Sequence, residues 1–325
     1  IPLRLVGSEM CIRDSQDIDH LTSDDMSVTD TFRVVSRFYD RITRPEQILT
    51  ALPEAMRVLT NPAETGAVTI ALPQDIQGYA YDYPTSFFEK RIWRIERQMP
   101  HPDRIREAIE LLINAKKPYI IAGGGIHYSE AWTELLEFSE RFGIPVGETH
   151  AGRGAIQNGS ELLMGGTGHL GTPCAGKIAE ESDLVLCIGT RLHDFVTGSN
   201  SAFQNPEVKF ISVNVNSRDA HKLGALPITS DARLALSALI ECGKDMGLEA
   251  NTSWLTTIKA ERKNWEEIKE TQVFIERSGE KISQGHLIGI LNEEMKDGDT
   301  LLAAAGTIPL SLIHIPSPRD VEESR

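Results

Sequence analysis

Cysteine is scarce and scattered. Cys11, Cys174, Cys187 and Cys242 form no CxxC pair and no dense framework, which excludes a disulfide-stapled module and a zinc ribbon. No apolar run approaches the roughly 18–20 residues that cross a bilayer, so no membrane contact is expected and the expected location is cytoplasmic. Positive charge is in deficit: 33 Lys and Arg against 47 Asp and Glu leave a formal charge of −14. That balance repels a phosphate backbone and no Lys/Arg-rich stripe relieves it, so nucleic acid is not an expected partner. GxSxG is absent, and no Ser-His-Asp or Cys-His arrangement can be assigned. What is left is 325 residues, 40% hydrophobic and 25% charged, enough for two ordinary domains or parts of three.

The two ends look foreign to the rest. Residues 1–15 (IPLRLVGSEMCIRDS) show no periodicity and read as a non-native leader, and 311–325 (SLIHIPSPRDVEESR) read as a non-native tail broken by Pro316 and Pro318. Between them three pieces follow. In 16–100, Pro45 precedes a helix with Ile48, Leu49, Leu52, Met56 and Leu59 on one face, stopped at Asn61-Pro62. Then comes a strand, 67–72, with no earlier strand of its sheet expected. The same piece ends in a linker holding Tyr79, Tyr81, Tyr83, Phe87, Phe88 and Trp93; such a cluster either stacks bases or packs across domain surfaces, and acidic neighbours favour packing.

Residues 102–246 alternate helices (103–115, 129–142, 172–181, 231–246) with strands (119–122, 144–147, 184–188, 210–215), leaving a glycine-rich loop over 152–171. That alternation predicts a Rossmann-like α/β domain with a parallel sheet covered on both faces. A charged helical connector, 247–282, leads to 283–310, where Ser283 caps a helix, Gly298 ends it, and a strand over 300–305 runs into Gly306-Thr307.

Candidate ligand-binding residues sit at strand ends. Gly123-Gly124-Gly125 follows a strand and opens a helix, where glycines admit phosphate to the backbone. A dinucleotide fingerprint needs a third glycine at 128, which is Tyr128, so a plain tight turn and a nucleotide turn stay open as alternatives. Gly189 and Thr190 end a second strand and are expected to face the same crevice. Glu148 lies near where a ribose-binding acid belongs. His150, His169 and His193 lack ligand-like spacing, so no metal site is read from them. The loop GGTGHLGTP (165–173) suits an interface, a ligand crevice or a plain loop.

The segments PYIIAGGG, GIPVGET and DLVLCIGTRL, flanked by ALPQD (71–75) and AAAGT, resemble the thiamine-diphosphate enzymes of the acetolactate synthase type over roughly 28–310. Within that superfamily RVVSRFYDRITRPEQ (33–47), MRVLTNPAETGAVTIALPQDIQG (56–78), FFEKRIWRIERQMP (87–100) and the AAGTIP turn (304–309) look like the trihydroxycyclohexanedione hydrolases of myo-inositol degradation. The resemblance implies a central Rossmann-like domain flanked by partial thiamine-diphosphate-binding-fold domains. It also implies thiamine diphosphate and Mg2+ as cofactors, a cyclic dione as substrate opened by water to 5-deoxyglucuronate, and a homodimer or dimer of dimers. It leaves the activating glutamate and the metal motif outside this sequence, so no catalytic and no metal residue is assigned. Gly306 and Thr307 are the retained cofactor-binding candidates, and the 325-residue chain is expected to be inactive by itself. Competing expectations are an acetolactate synthase-like carboligase or decarboxylase and a non-catalytic nucleotide-binding module.

Overall fold

The computed structural model describes residues 28–156, 159–276, 281–296 and 299–301. The described residues fall into two compact units, one up to Glu96 and one from Arg97 onward.

In the first unit, strand β1 (Phe38–Arg41) leads through a turn at Pro45–Gln47 into helix α1 (Ile48–Thr60), strand β2 (Val68–Ala71) and the short helix α2 (Gln74–Gln77). β1 and β2 pair in parallel, Phe38 with Val68 through Arg41 with Ala71. An earlier strand is therefore present, contrary to the sequence expectation. Its four residues, FYDR, are too few and too polar to announce a strand. The expected apolar face of α1 also shifts: Ala51, Ala55 and Val58 are buried, whereas Leu52 and Leu59 stay 42% and 40% exposed. Small residues at i, i+4 and i+7 let the helix lie close, which the count of large apolar residues hides. Beyond α2 the aromatic segment packs on itself, Tyr81 and Phe88 meeting Tyr83 edge-on and Phe87 stacking on it, while the Tyr83 hydroxyl donates to the Pro45 carbonyl.

The second unit runs α3 (Pro102–Asn114), β3 (Pro118–Ala122), α4 (Gly125–Ser129), α5 (Trp132–Phe142), β4 (Val146–Glu148), β5 (Leu163–Gly166), α6 (Pro173–Glu181), β6 (Leu184–Ile188), α7 (Asp194–Thr197), β7 (Lys209–Asn214), α8 (Ser217–Ala220), β8 (Leu226–Thr229), α9 (Ala232–Asp245), α10 (Thr252–Ile268) and α11 (Gln284–Glu294). The six strands β3 to β8 form one parallel sheet in the order β5-β4-β3-β6-β7-β8. Numbered from β3, that is the 3-2-1-4-5-6 order of a Rossmann sheet. Successive strand residues face opposite layers. Ile120, Ala122, Leu186 and Ile188 pack under α3, α5 and α9, while Tyr119, Ile121, Val185 and Cys187 pack under α6 and α10. Burial on both faces explains why PYIIA and LVLCI read as unbroken apolar runs. Trp254 of α10 anchors its layer by donating to the Pro118 carbonyl at 3.0 Å, with Lys117 over its ring.

Three expectations in this unit change. The glycine-rich loop contains strand β5, whose Leu-Met-Gly-Gly sequence carries no β signal. Strand β8 was missed because Pro227 interrupts it; a proline is tolerated there because β8 is the sheet edge. The helix expected over 129–142 is broken at Glu130, which adopts a left-handed conformation with φ 55°, so α4 and α5 are separate. Gly298 and most of the strand expected over 300–305 lie outside the described residues, whereas Ser283 caps α11 as expected, accepting from the His286 amide.

One buried carboxylate ties the start of this unit to its far edge. Asp231, between β8 and α9, accepts from Arg97 and Ser129 at 2.8 Å each on one oxygen and from the Arg233 and Leu234 amides on the other. Its own amide and the Ser230 hydroxyl donate to the Gln98 carbonyl. Removing it takes the close carboxylate from a largely buried guanidinium, leaving Glu130 at 3.7 Å, and uncaps α9 at once. Asp231→Ala is expected to cost about 3–5 kcal/mol and Ser129→Ala about 1 kcal/mol in urea denaturation. Equal losses would show that the carboxylate is not the anchor.

Candidate functional site

Chain order reverses between β3 and β6, since β3 leads outward through β4 to β5 and the chain then returns to β6. In open α/β sheets ligands lie outside the carboxyl ends of the strands at this point. The structure brings Gly123, Gly124, Gly125, Gly189 and Thr190 together there. They meet backbone to backbone: the Gly123 amide donates to the Ile188 carbonyl at 2.8 Å and the Gly125 amide to the Gly189 carbonyl at 3.0 Å. A Cβ on Gly123 would lie 2.7 Å from the Gly189 carbonyl carbon and 2.8 Å from the Thr190 Cα, and one on Gly125 would lie 2.5 Å from the Gly189 Cα. Gly189 itself has φ 62°, a conformation that suits glycine. The glycines are thus required for the close approach of two turns, and two of the three amides in the first turn are spent inside the chain.

A third turn completes the edge. After β4 the Thr149 amide donates to the Ala122 carbonyl at 2.9 Å, and a Cβ on Gly124 would come within 3.1 Å of Ala151. Asn214, at the end of β7, donates from its side chain to the Thr190 carbonyl at 3.0 Å and accepts from the Asn216 amide. Sequence reasoning missed this asparagine; its only signal was an Asn two residues before another Asn at a strand end, the pattern of a side chain closing its own turn.

Glu148 does not reach outward toward a ribose. It is buried, and its Oε1 accepts from the Ile156 amide at 3.0 Å. Burial pushes its carboxyl up to about 7, against the pull of the amides of residues 154–156 and the Arg153 charge. The same loop is held from the other side by His127. Trp132 donates its indole N–H to His127 Nδ1 at 2.9 Å, so Nε2 carries the hydrogen and donates to the Arg153 carbonyl at 2.9 Å.

The remaining candidates lie apart. His169 and His193 flank the Phe195 ring edge-on, and His150 starts the short turn after β4. The loop 165–173 lines an open crevice of about 420 Å3 with Gly168 and His169, opposite Gly176 and Glu180 of α6 and Ser201. No group of three or more His, Cys, Asp or Glu able to hold a metal exists among the described residues. No helix among them is long and apolar enough to cross a membrane. Gly306 and Thr307 lie outside the described residues.

A family model described as the thiamine pyrophosphate enzyme central domain matches residues 105–239, the segment that forms the six-stranded sheet. Over 317 residues the chain is 41% identical to 3D-(3,5/4)-trihydroxycyclohexane-1,2-dione hydrolase of Bacillus cereus (strain AH820), an alignment covering 90% of this chain and 49% of that protein. It is 40% identical over 334 residues to the hydrolase of the same name from Bacillus thuringiensis (strain Al Hakam), covering 94% and 52%. The chain spans about half the length of the curated relatives it matches.

Two outcomes follow from this geometry. Gly123→Ala forces backbone apart and is expected to cost about 1–3 kcal/mol, whereas Gly176→Ala, in α6 with open space at its Cα, is expected to be neutral or stabilising by up to about 1 kcal/mol; thermal denaturation compares them. Because the folded-state carboxyl of Glu148 titrates near 7 and its ordinary value is 4.5, its contribution is full below about pH 4.5 and lost as pH rises through about 7. Glu148→Gln should therefore flatten the fall in stability between those limits, and an unchanged pH profile would count against the assignment.

Proposed function

We propose that the chain, whose residues 105–239 match the thiamine pyrophosphate enzyme central domain, is part of a hydrolase that opens the ring of a trihydroxycyclohexane-1,2-dione. The observation that carries this reading is the 41% identity that runs through 90% of the chain, far beyond the central domain, to proteins named for that reaction. Hydrolysis here means that one ring C–C bond breaks and the elements of water are added, giving an open-chain deoxyuronic acid. Thiamine diphosphate, held with Mg2+, supplies an electron sink for that cleavage.

The described residues contain no acidic group set for a metal, and the glycine turns at the sheet's switch point are occupied with each other. No step of the reaction is therefore routed through them. Their part in the proposed enzyme is a rigid central domain: a doubly covered parallel sheet whose carboxyl edge is locked by three interpacked turns. In the cytoplasm, as a self-associated oligomer, such a domain would position the cofactor-bearing parts of the longer polypeptide.

The test is an assay of the full-length protein with the cyclic dione, thiamine diphosphate and magnesium. Cofactor-dependent ring opening, with one oxygen from labelled water in the acid, is the expected result. Condensation of 2-oxo acids without ring opening would move the protein to the carboligases, and no reaction with either class would overturn the assignment.

A further inference from the structure

We propose that residues 88–96 form a self-complementary docking strip through which two copies of this chain associate about a two-fold axis at Trp93. The inference names a surface for the self-association proposed above and does not depend on the reaction. Residues 89–100 adopt neither helix nor strand. Among the described residues, Lys90 through Glu96 make no hydrogen bond and no ion pair, backbone or side chain. Their apolar side chains are nevertheless in the open, with Phe88 71%, Ile92 75% and Ile95 57% exposed. A stretch that exposes aliphatic and aromatic groups together with idle amides and carbonyls offers both kinds of contact that an added chain uses.

Charge narrows the occupant. Lys90, Arg91 and Arg94 are exposed cations that find no partner among the described residues, set in a chain whose net charge is −14. A second copy brings acidic surface to them, and the order of residues makes the strip its own complement. Run antiparallel about Trp93, the sequence KRIWRIE sets Lys90 against Glu96, Arg91 against Ile95, Ile92 against Arg94, and Trp93 against Trp93. The arginine stems then cover the isoleucines, the two indoles meet, and no like charges face each other. A shift one way opposes Arg91 with Arg94 and Glu89 with Glu96; a shift the other way keeps a charge pair, Arg91 with Glu96, and sets Ile92 against Ile95, but opposes Lys90 with Arg97. An isologous contact needs this reciprocity, residue i meeting j while j meets i.

The experiment is a charge swap read by sedimentation of the whole chain. Lys90→Glu or Glu96→Lys alone places like charges opposite each other twice per dimer and should weaken self-association about threefold to tenfold, with unchanged far-ultraviolet circular dichroism. Combining the two substitutions restores the pairing and should return the dissociation constant to near its original value. A double variant no tighter than the singles overturns the register, and a chain that stays monomeric at its highest soluble concentration overturns the proposal. An oligomer indifferent to all three variants also overturns it while leaving self-association itself intact. In the full-length protein, a photo-crosslinker at position 92 should join two copies; capture solely within one polypeptide would show that the strip is an internal seam.

Discussion

Close backbone contact between the turn after β3 and the turn after β6 is the constraint on which the central unit depends. Gly123 and Gly125 carry no side chain because the Gly189 carbonyl and the Gly189 and Thr190 Cα atoms already occupy that space. The two strands are neighbours in the sheet but sixty-odd residues apart in the chain, with Ile121 paired to Cys187. Locking their ends fixes the register of β3 and β6, and with it which residues of each face α3, α5 and α9 and which face α6 and α10. A one-residue slip would exchange the two layers.

That lock extends outward by polar contacts that close on one another. Asn214 carries it to β7 through the Thr190 carbonyl, and Thr149 carries it to β4 through the Ala122 carbonyl. His127 and Glu148 then hold the loop after β4 from two sides. Further along the edge, Asp231 binds the segment at 97–98 to the β8–α9 turn. The carboxyl edge of the sheet, which in other Rossmann domains is a ligand crevice, is in this chain largely a set of satisfied internal bonds. A central domain of this kind suits a protein whose proposed chemistry resides in a cofactor bound elsewhere.

Glu148 and the strip at 88–96 are the two places where local chemistry runs against its surroundings. A carboxyl group under the sheet edge is held by amides that favour its charge and by burial that opposes it, which places its titration near neutrality. The strip concentrates cations and large apolar groups on an acidic protein and leaves both exposed. The first conflict is resolved inside the fold, by the loop at 153–156. The second is not resolved among the described residues, and a second copy is the occupant proposed for it.

The sequence by itself determined the class of fold, because long fully apolar runs such as PYIIA and LVLCI between amphipathic helices admit only a parallel sheet covered on both faces. It also determined the family resemblance, through segments whose order survives in the 41% identity to half of each curated hydrolase, and it placed the glycine turns at one edge. Tertiary structure alone decided what those glycines are for. Composition cannot distinguish a glycine that admits a phosphate from one that admits a carbonyl, since both need only a missing Cβ. It also decided the strands β1, β5 and β8, whose short or proline-bearing sequences are held by neighbours and not by their own propensity. The stripe buried in α1 was hidden for a similar reason: large residues announce a face in the sequence, but the sheet beneath selects the small ones that let it approach.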